Sequence, residues 1–132
     1  MRFSSQLVAA VLFSSLLLAC GTPRAGESCN VSGFLCESSA SALECVGGTW
    51  VSLPCKGANG CSREGDVVKC DMTGNAEGDN CASSAFGKGL CTADGLGTLE
   101  CRQDPATSQL KLVKTNTCRS CTVNGNQVIC QP

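Results

Sequence analysis

A small disulfide-rich all-β fold, arranged as two tandem β-hairpin modules with about three disulfides each, is predicted by three observations on the sequence. Of thirteen cysteines, twelve follow Cys20 and fall into two groups of six with related spacing. Short runs rich in β-branched and aliphatic residues are separated by glycine-centred turns. No stretch beyond residue 20 sustains a helical apolar period over three turns.

The first group is Cys29, Cys36, Cys45, Cys55, Cys61 and Cys70, and the second is Cys81, Cys91, Cys101, Cys118, Cys121 and Cys130. Gly26-Glu27-Ser28-Cys29 opens one and Gly78-Asp79-Asn80-Cys81 the other, and the triplet Leu-Glu-Cys recurs at Leu43 to Cys45 and at Leu99 to Cys101. Each group closes on two cysteines with eight residues between them. The middle differs: nine residues separate Cys45 from Cys55 but sixteen separate Cys101 from Cys118, as expected of one fold with different loops. The organisation expected is a signal peptide over 1–19, a lipidated tether over 20–25, cysteine-rich repeat 1 over 26–71, a linker over 72–77 and repeat 2 over 78–132. Six cysteines allow 15 pairings, so connectivity stays open.

Disulfides are needed because each half, some fifty residues, is near the size at which an apolar core alone is marginal. Beyond the first 20 residues the aromatic residues are Phe34, Trp50 and Phe86. A disulfide closing a loop of about 15 residues is worth roughly 3 kcal/mol in the chain-entropy model.

The strands follow from local pattern. Residues 42–46 and 49–53 flank Gly47-Gly48, a two-residue loop that permits a tight hairpin turn and places Trp50 on a strand. Residues 67–70 after Glu64-Gly65-Asp66, and 127–130 after Asn124-Gly125-Asn126, read as the return strands of two further hairpins. Residues 98–102 and 110–114 enclose a longer turn containing Pro105.

The first 20 residues have another character. Arg2 precedes an apolar stretch from Leu7 to Ala19, shorter than the ~20 residues a spanning helix needs, which is the form of a signal peptide. At its end Leu17-Leu18-Ala19-Cys20-Gly21 resembles the lipobox of bacterial lipoproteins. That resemblance implies a diacylglyceryl group on the Cys20 sulfur, cleavage before Cys20 and acylation of the new amino terminus. An odd cysteine count supports it, since removing Cys20 leaves an even set. The alternative is a secretory signal cut near Ala19 that leaves Cys20 an ordinary cysteine.

For chemistry, absences count. The chain has no His, the commonest general base and zinc partner, and its thiols are expected in disulfides, so no enzyme, no cofactor and no metal site is expected. Cys118-Arg119-Ser120-Cys121 has the spacing of a redox motif, but its alignment with Cys55 and Cys61 reads as a loop deletion between structural cysteines. Asp71, Asn75, Glu77 and Asp79 put four oxygen-bearing side chains in or beside the linker; their spacing matches no calcium loop, and a solvated linker is the expectation.

Two binding surfaces are candidates. Trp50 with Phe34 would make a sugar-stacking face, and the order of cysteines with late Gly-Cys and Val-x-Cys elements is faintly similar to small chitin-binding modules; a core role for Trp50 is the reading set against it. The connection holding Gln103, Asp104, Pro105 and Gln109 replaces the tight Gly-Gly turn of the first half, and function tends to sit on such loops. With Arg2 removed, nine Lys or Arg face eleven Asp or Glu, with no basic run, which argues against nucleic acid as a partner.

The region from residue 26 onward also resembles the cysteine-rich lipoproteins of myxobacterial outer membranes, through the order Gly-x-x-Cys, Leu-x-Cys, Gly-x-Trp, Gly-Cys and Val-x-Cys between Gly26 and Cys70. The resemblance implies an outer-membrane lipoprotein held by the lipid on Cys20, with Gly21 after the cysteine agreeing with that sorting. It further implies a non-catalytic envelope adaptor or structural role through protein partners, of the gliding-motility type among others. The alternative function is a carbohydrate-binding module for envelope or matrix polysaccharide.

Overall fold

The structure, a computed structural model, describes residues 21–132, so the signal segment and Cys20 lie outside the described residues. The protein is small, disulfide-rich and all-β: among the described residues ten strands form four antiparallel sheets, with a single 3-10 turn at Ser83–Ala85. In the first half β1 (Phe34–Ser38), β2 (Ser41–Val46) and β3 (Thr49–Pro54) make a three-stranded sheet, and β4 (Cys61–Glu64) with β5 (Val67–Cys70) a hairpin. In the second, β6 (Gly89–Cys91), β7 (Gly97–Gln103) and β8 (Leu110–Thr117) make the sheet, and β9 (Ser120–Asn124) with β10 (Gln127–Gln131) the hairpin.

The turns form where their chemistry requires. Val46 pairs with Thr49 across Gly47 and Gly48, whose φ angles of 58° and 83° are those a two-residue hairpin loop demands and a side chain resists. Strands β1 and β6 are additions to the sequence reading. Too short to show a periodicity of their own, they are held by pairing to β2 and β7.

Six disulfides pair all twelve described cysteines. They join Cys29 to Cys45, Cys36 to Cys61 and Cys55 to Cys70, then Cys81 to Cys101, Cys91 to Cys121 and Cys118 to Cys130. Numbered within each half, the order is the same: first to third, second to fifth, fourth to sixth. None joins the halves. The first bond fastens an incoming segment to the sheet, which then extends the sheet edge. Trp50 N–H donates to the Glu27 carbonyl and Leu112 N–H to that of Asp79, while Cys29 N–H donates to Gly48 and Cys81 N–H to Leu110.

The linker is not the solvated connection expected from its composition. Asn75 is fully buried, its Nδ2 donating to the Pro54 carbonyl at 2.7 Å and its Oδ1 accepting from the Lys56 N–H at 3.0 Å. Met72 packs on the second core, formed by Cys81, Leu99, Cys101 and Leu112. Ala82, from the second half, packs on the first core, formed by Ala42, Leu53 and Cys55. Each half therefore completes its apolar cluster with a residue from beyond its own boundary.

A cleft between the two halves

The residues singled out in the sequence do not converge on one place. Trp50 is 7% exposed and lies opposite Cys45, facing the first disulfide. Phe34 lies opposite Glu44, and since neighbours along a strand project to opposite faces, Phe34 and Trp50 sit on different sides of the sheet. The sugar-stacking face considered for that pair is not formed. Leu112 stands opposite Cys101 as Trp50 stands opposite Cys45, and it is buried too, so both halves use this position for their interior.

Cys118 and Cys121 are joined to different partners, Cys130 and Cys91, and not to each other, which leaves no redox pair at that spacing. The four linker oxygens also diverge. Asp71 accepts from the backbone and side chains of Asn59 and Thr73, and the Thr73 hydroxyl in particular holds its carboxyl below the usual range. Glu77 accepts from the Lys114 N–H, and Asp79 binds the Lys56 ammonium at 2.7 Å and the Ala76 N–H at 2.8 Å. Partial burial of Asp79 opposes ionisation, but these two partners outweigh it and keep its carboxyl low. Among the described residues no group of three or more candidate ligands is placed to hold a metal ion.

The loop after β7 is well organised. Asp104 accepts from the Ala106 N–H at 2.9 Å and the Thr107 hydroxyl at 3.1 Å, which lowers its carboxyl below the ordinary range, the Ala106 bond being the larger cause. Its own N–H donates to the Gln109 carbonyl and its carbonyl accepts from the Ser108 N–H. Ser108 takes a φ of 59°, alone among the described non-glycine residues in the left-handed region, a conformation this hydrogen-bonded loop must hold against steric preference. Gln103 donates to the Ser108 carbonyl, while Pro105 is exposed at the tip.

That loop returns at a cleft of about 350 Å³. Its floor consists of two cross-strand pairs on one face of the first hairpin, Glu44 with Val51 and Val46 with Thr49. Its opposite wall comes from the second half: Cys81, Ser108, Gln109 and Leu110. Of the candidate loop residues, Gln109 reaches the cleft, whereas Gln103, Asp104 and Pro105 shape the loop without lining it. Glu44, only 5% exposed, bridges the halves: its carboxylate accepts the Ser83 N–H at 3.0 Å and the Ser83 hydroxyl.

Sequence reasoning did not select Glu44, Val46, Val51 or Leu110. The one available signal was a carboxylate between two interior residues, Leu43 and Cys45, which on a strand reads as a solvent-facing position. Comparison with protein-family models, with curated proteins and with solved structures found no match to this chain.

Proposed function

We propose that the protein is a lipid-anchored, non-catalytic envelope adaptor or structural lipoprotein, attached to the outer membrane through acyl chains on Cys20 and acting by protein–protein contact in a motility or other envelope complex. The supporting observation is the cleft, where the Gly47-Gly48 hairpin of one half meets the loop over 103–109 of the other. The two unlike loops stand on scaffolds with the same disulfide order, an arrangement that holds an irregular surface steady at little entropic cost on binding. The lipobox-like Leu17-Leu18-Ala19-Cys20 supplies the attachment.

The carbohydrate-binding reading loses Trp50 to the interior and is left with Phe34 and Phe86, which are 40% and 61% exposed. Detergent extraction followed by affinity capture and mass spectrometry tests the adaptor role. A stable envelope protein should co-purify, and replacing residues 103–109 by Gly-Gly should weaken its capture while export and all six disulfides persist. Cys20→Ala should abolish acyl labelling and membrane retention. Fractionation of that variant with membranes would refute the lipid anchor, and specific retention on a glycan array without any protein partner would favour the alternative.

A further inference from the structure

We infer that the cleft between the halves is a slot for a basic side chain, lysine or arginine, of a protein partner, with Glu44 as its counter-charge; this rests on the adaptor reading and specifies the partner's chemistry. Glu44 is 5% exposed, yet its two carboxylate oxygens are engaged by neutral donors, the Ser83 N–H and hydroxyl. Asp79, Glu64 and Glu100 have cations in Lys56, Lys69 and Arg102, and Asp71 and Asp104, which like Glu44 are held by neutral donors, are only half-buried. Among the described residues no lysine or arginine forms an ion pair with Glu44. A buried carboxylate without a cation is the expensive state of a charge in a protein, and each carboxylate oxygen can accept more than the one hydrogen bond it receives from Ser83.

The walls suit the rest of such a side chain. Val46, Val51 and Leu110 offer apolar surface to a hydrocarbon stem, while Thr49, Ser108 and Gln109 are exposed polar groups at the mouth. A volume of about 350 Å³ lies at the small end for ligand sites and is ample for one long side chain. A purely apolar occupant would remove the remaining water from Glu44 and give it no counter-charge, so the floor itself selects for a positive end.

The test titrates the full chain in detergent with Nα-acetyl-lysine methylamide, its arginine counterpart and the neutral norleucine counterpart, following the methyl resonances of Val46, Val51 and Leu110. The basic probes should bind about tenfold or more tighter than norleucine, as a charge-assisted hydrogen bond allows. That preference should disappear in Glu44→Gln, which retains an oxygen for Ser83. Val46→Arg, at a position 48% exposed and therefore tolerant of a long side chain, should occupy the slot and block all three probes. Equal binding of norleucine, a preference that survives Glu44→Gln, or undiminished binding to Val46→Arg would each overturn the inference, and the last applies even if Glu44→Gln does not fold. The titration needs no natural partner, so its failure is separable from a failure of affinity capture, which bears on the adaptor reading.

Discussion

Asn75 fills a fully enclosed site where its amide completes the backbone hydrogen bonding of Pro54 and Lys56, donating to the first and accepting from the second. The two bonds tie the segment between the halves to Pro54 at the end of β3 and to Lys56, one on each side of Cys55. An amide is required because it presents a donor and an acceptor together.

Asn75→Ala should therefore destabilise the protein by about 2 to 4 kcal/mol, since it empties a fully buried site and takes the amide's bonds from the part-buried Pro54 carbonyl and Lys56 N–H. Asn75→Asp should be comparably damaging, because a carboxylate cannot donate to the Pro54 carbonyl. Chemical denaturation of both variants with disulfides intact checks this; a loss below about 0.5 kcal/mol in either would show that water replaces the amide.

Trp50 is expected to behave as an interior residue. Trp50→Ala should cost about 3 to 5 kcal/mol, whereas Trp50→Leu, which copies the residue at Leu112, should cost clearly less. Partner capture by the folded Trp50→Leu protein should match the wild type. Selective loss of capture at unchanged stability would return Trp50 to the surface as a contact residue.

Alkylation without reductant should find none of the twelve cysteines free, and peptide mapping should recover Cys91 joined to Cys121 and Cys118 joined to Cys130. Cleavage within 72–77 should leave no covalent link between the halves, although contacts such as Glu44 with Ser83 should hold them together until denaturant is added. A fragment containing a Cys118 to Cys121 bond would contradict the fold.

Acid should weaken the molecule through Asp71 and Asp79, whose carboxyls are held below the ordinary value of 3.8. A lowered folded-state pKa contributes stability that is fully present above the unfolded value and is lost as pH falls through the folded one. The unfolding midpoint should thus drop on acidification below about pH 4, and Asp71→Asn should show a shallower drop. Equal acid sensitivity in wild type and variant would mean that the Thr73 and Asn59 bonds do not favour the ionised form.

Much of the fold was legible locally. Gly47-Gly48, Gly65-Asp66 and Gly125-Asn126 mark turns because a positive φ is a property of the residues at the turn itself. Strands β1 and β6 carry no comparable mark, and the pairing order among the cysteines depends on which strands lie side by side. The candidate site was legible only through Gln109, for a cleft shared by two halves has no local pattern.

The Leu-Glu-Cys triplets separate what the sequence by itself determined from what only the tertiary structure decided. Alternation along a strand makes Leu43 and Cys45, and likewise Leu99 and Cys101, share a face, and it puts each glutamate on the other face. Identical triplets therefore predict identical strands. The surroundings of the two glutamates differ nonetheless: Glu44 is buried against Ser83, while Glu100 keeps 31% of its side chain exposed and pairs with Arg102. The second half packs its Ala82 and Ser83 onto the Glu44 face of the first sheet. Burial is set by what lies across the surface from a residue, and that depends on how the halves dock, which local sequence does not encode.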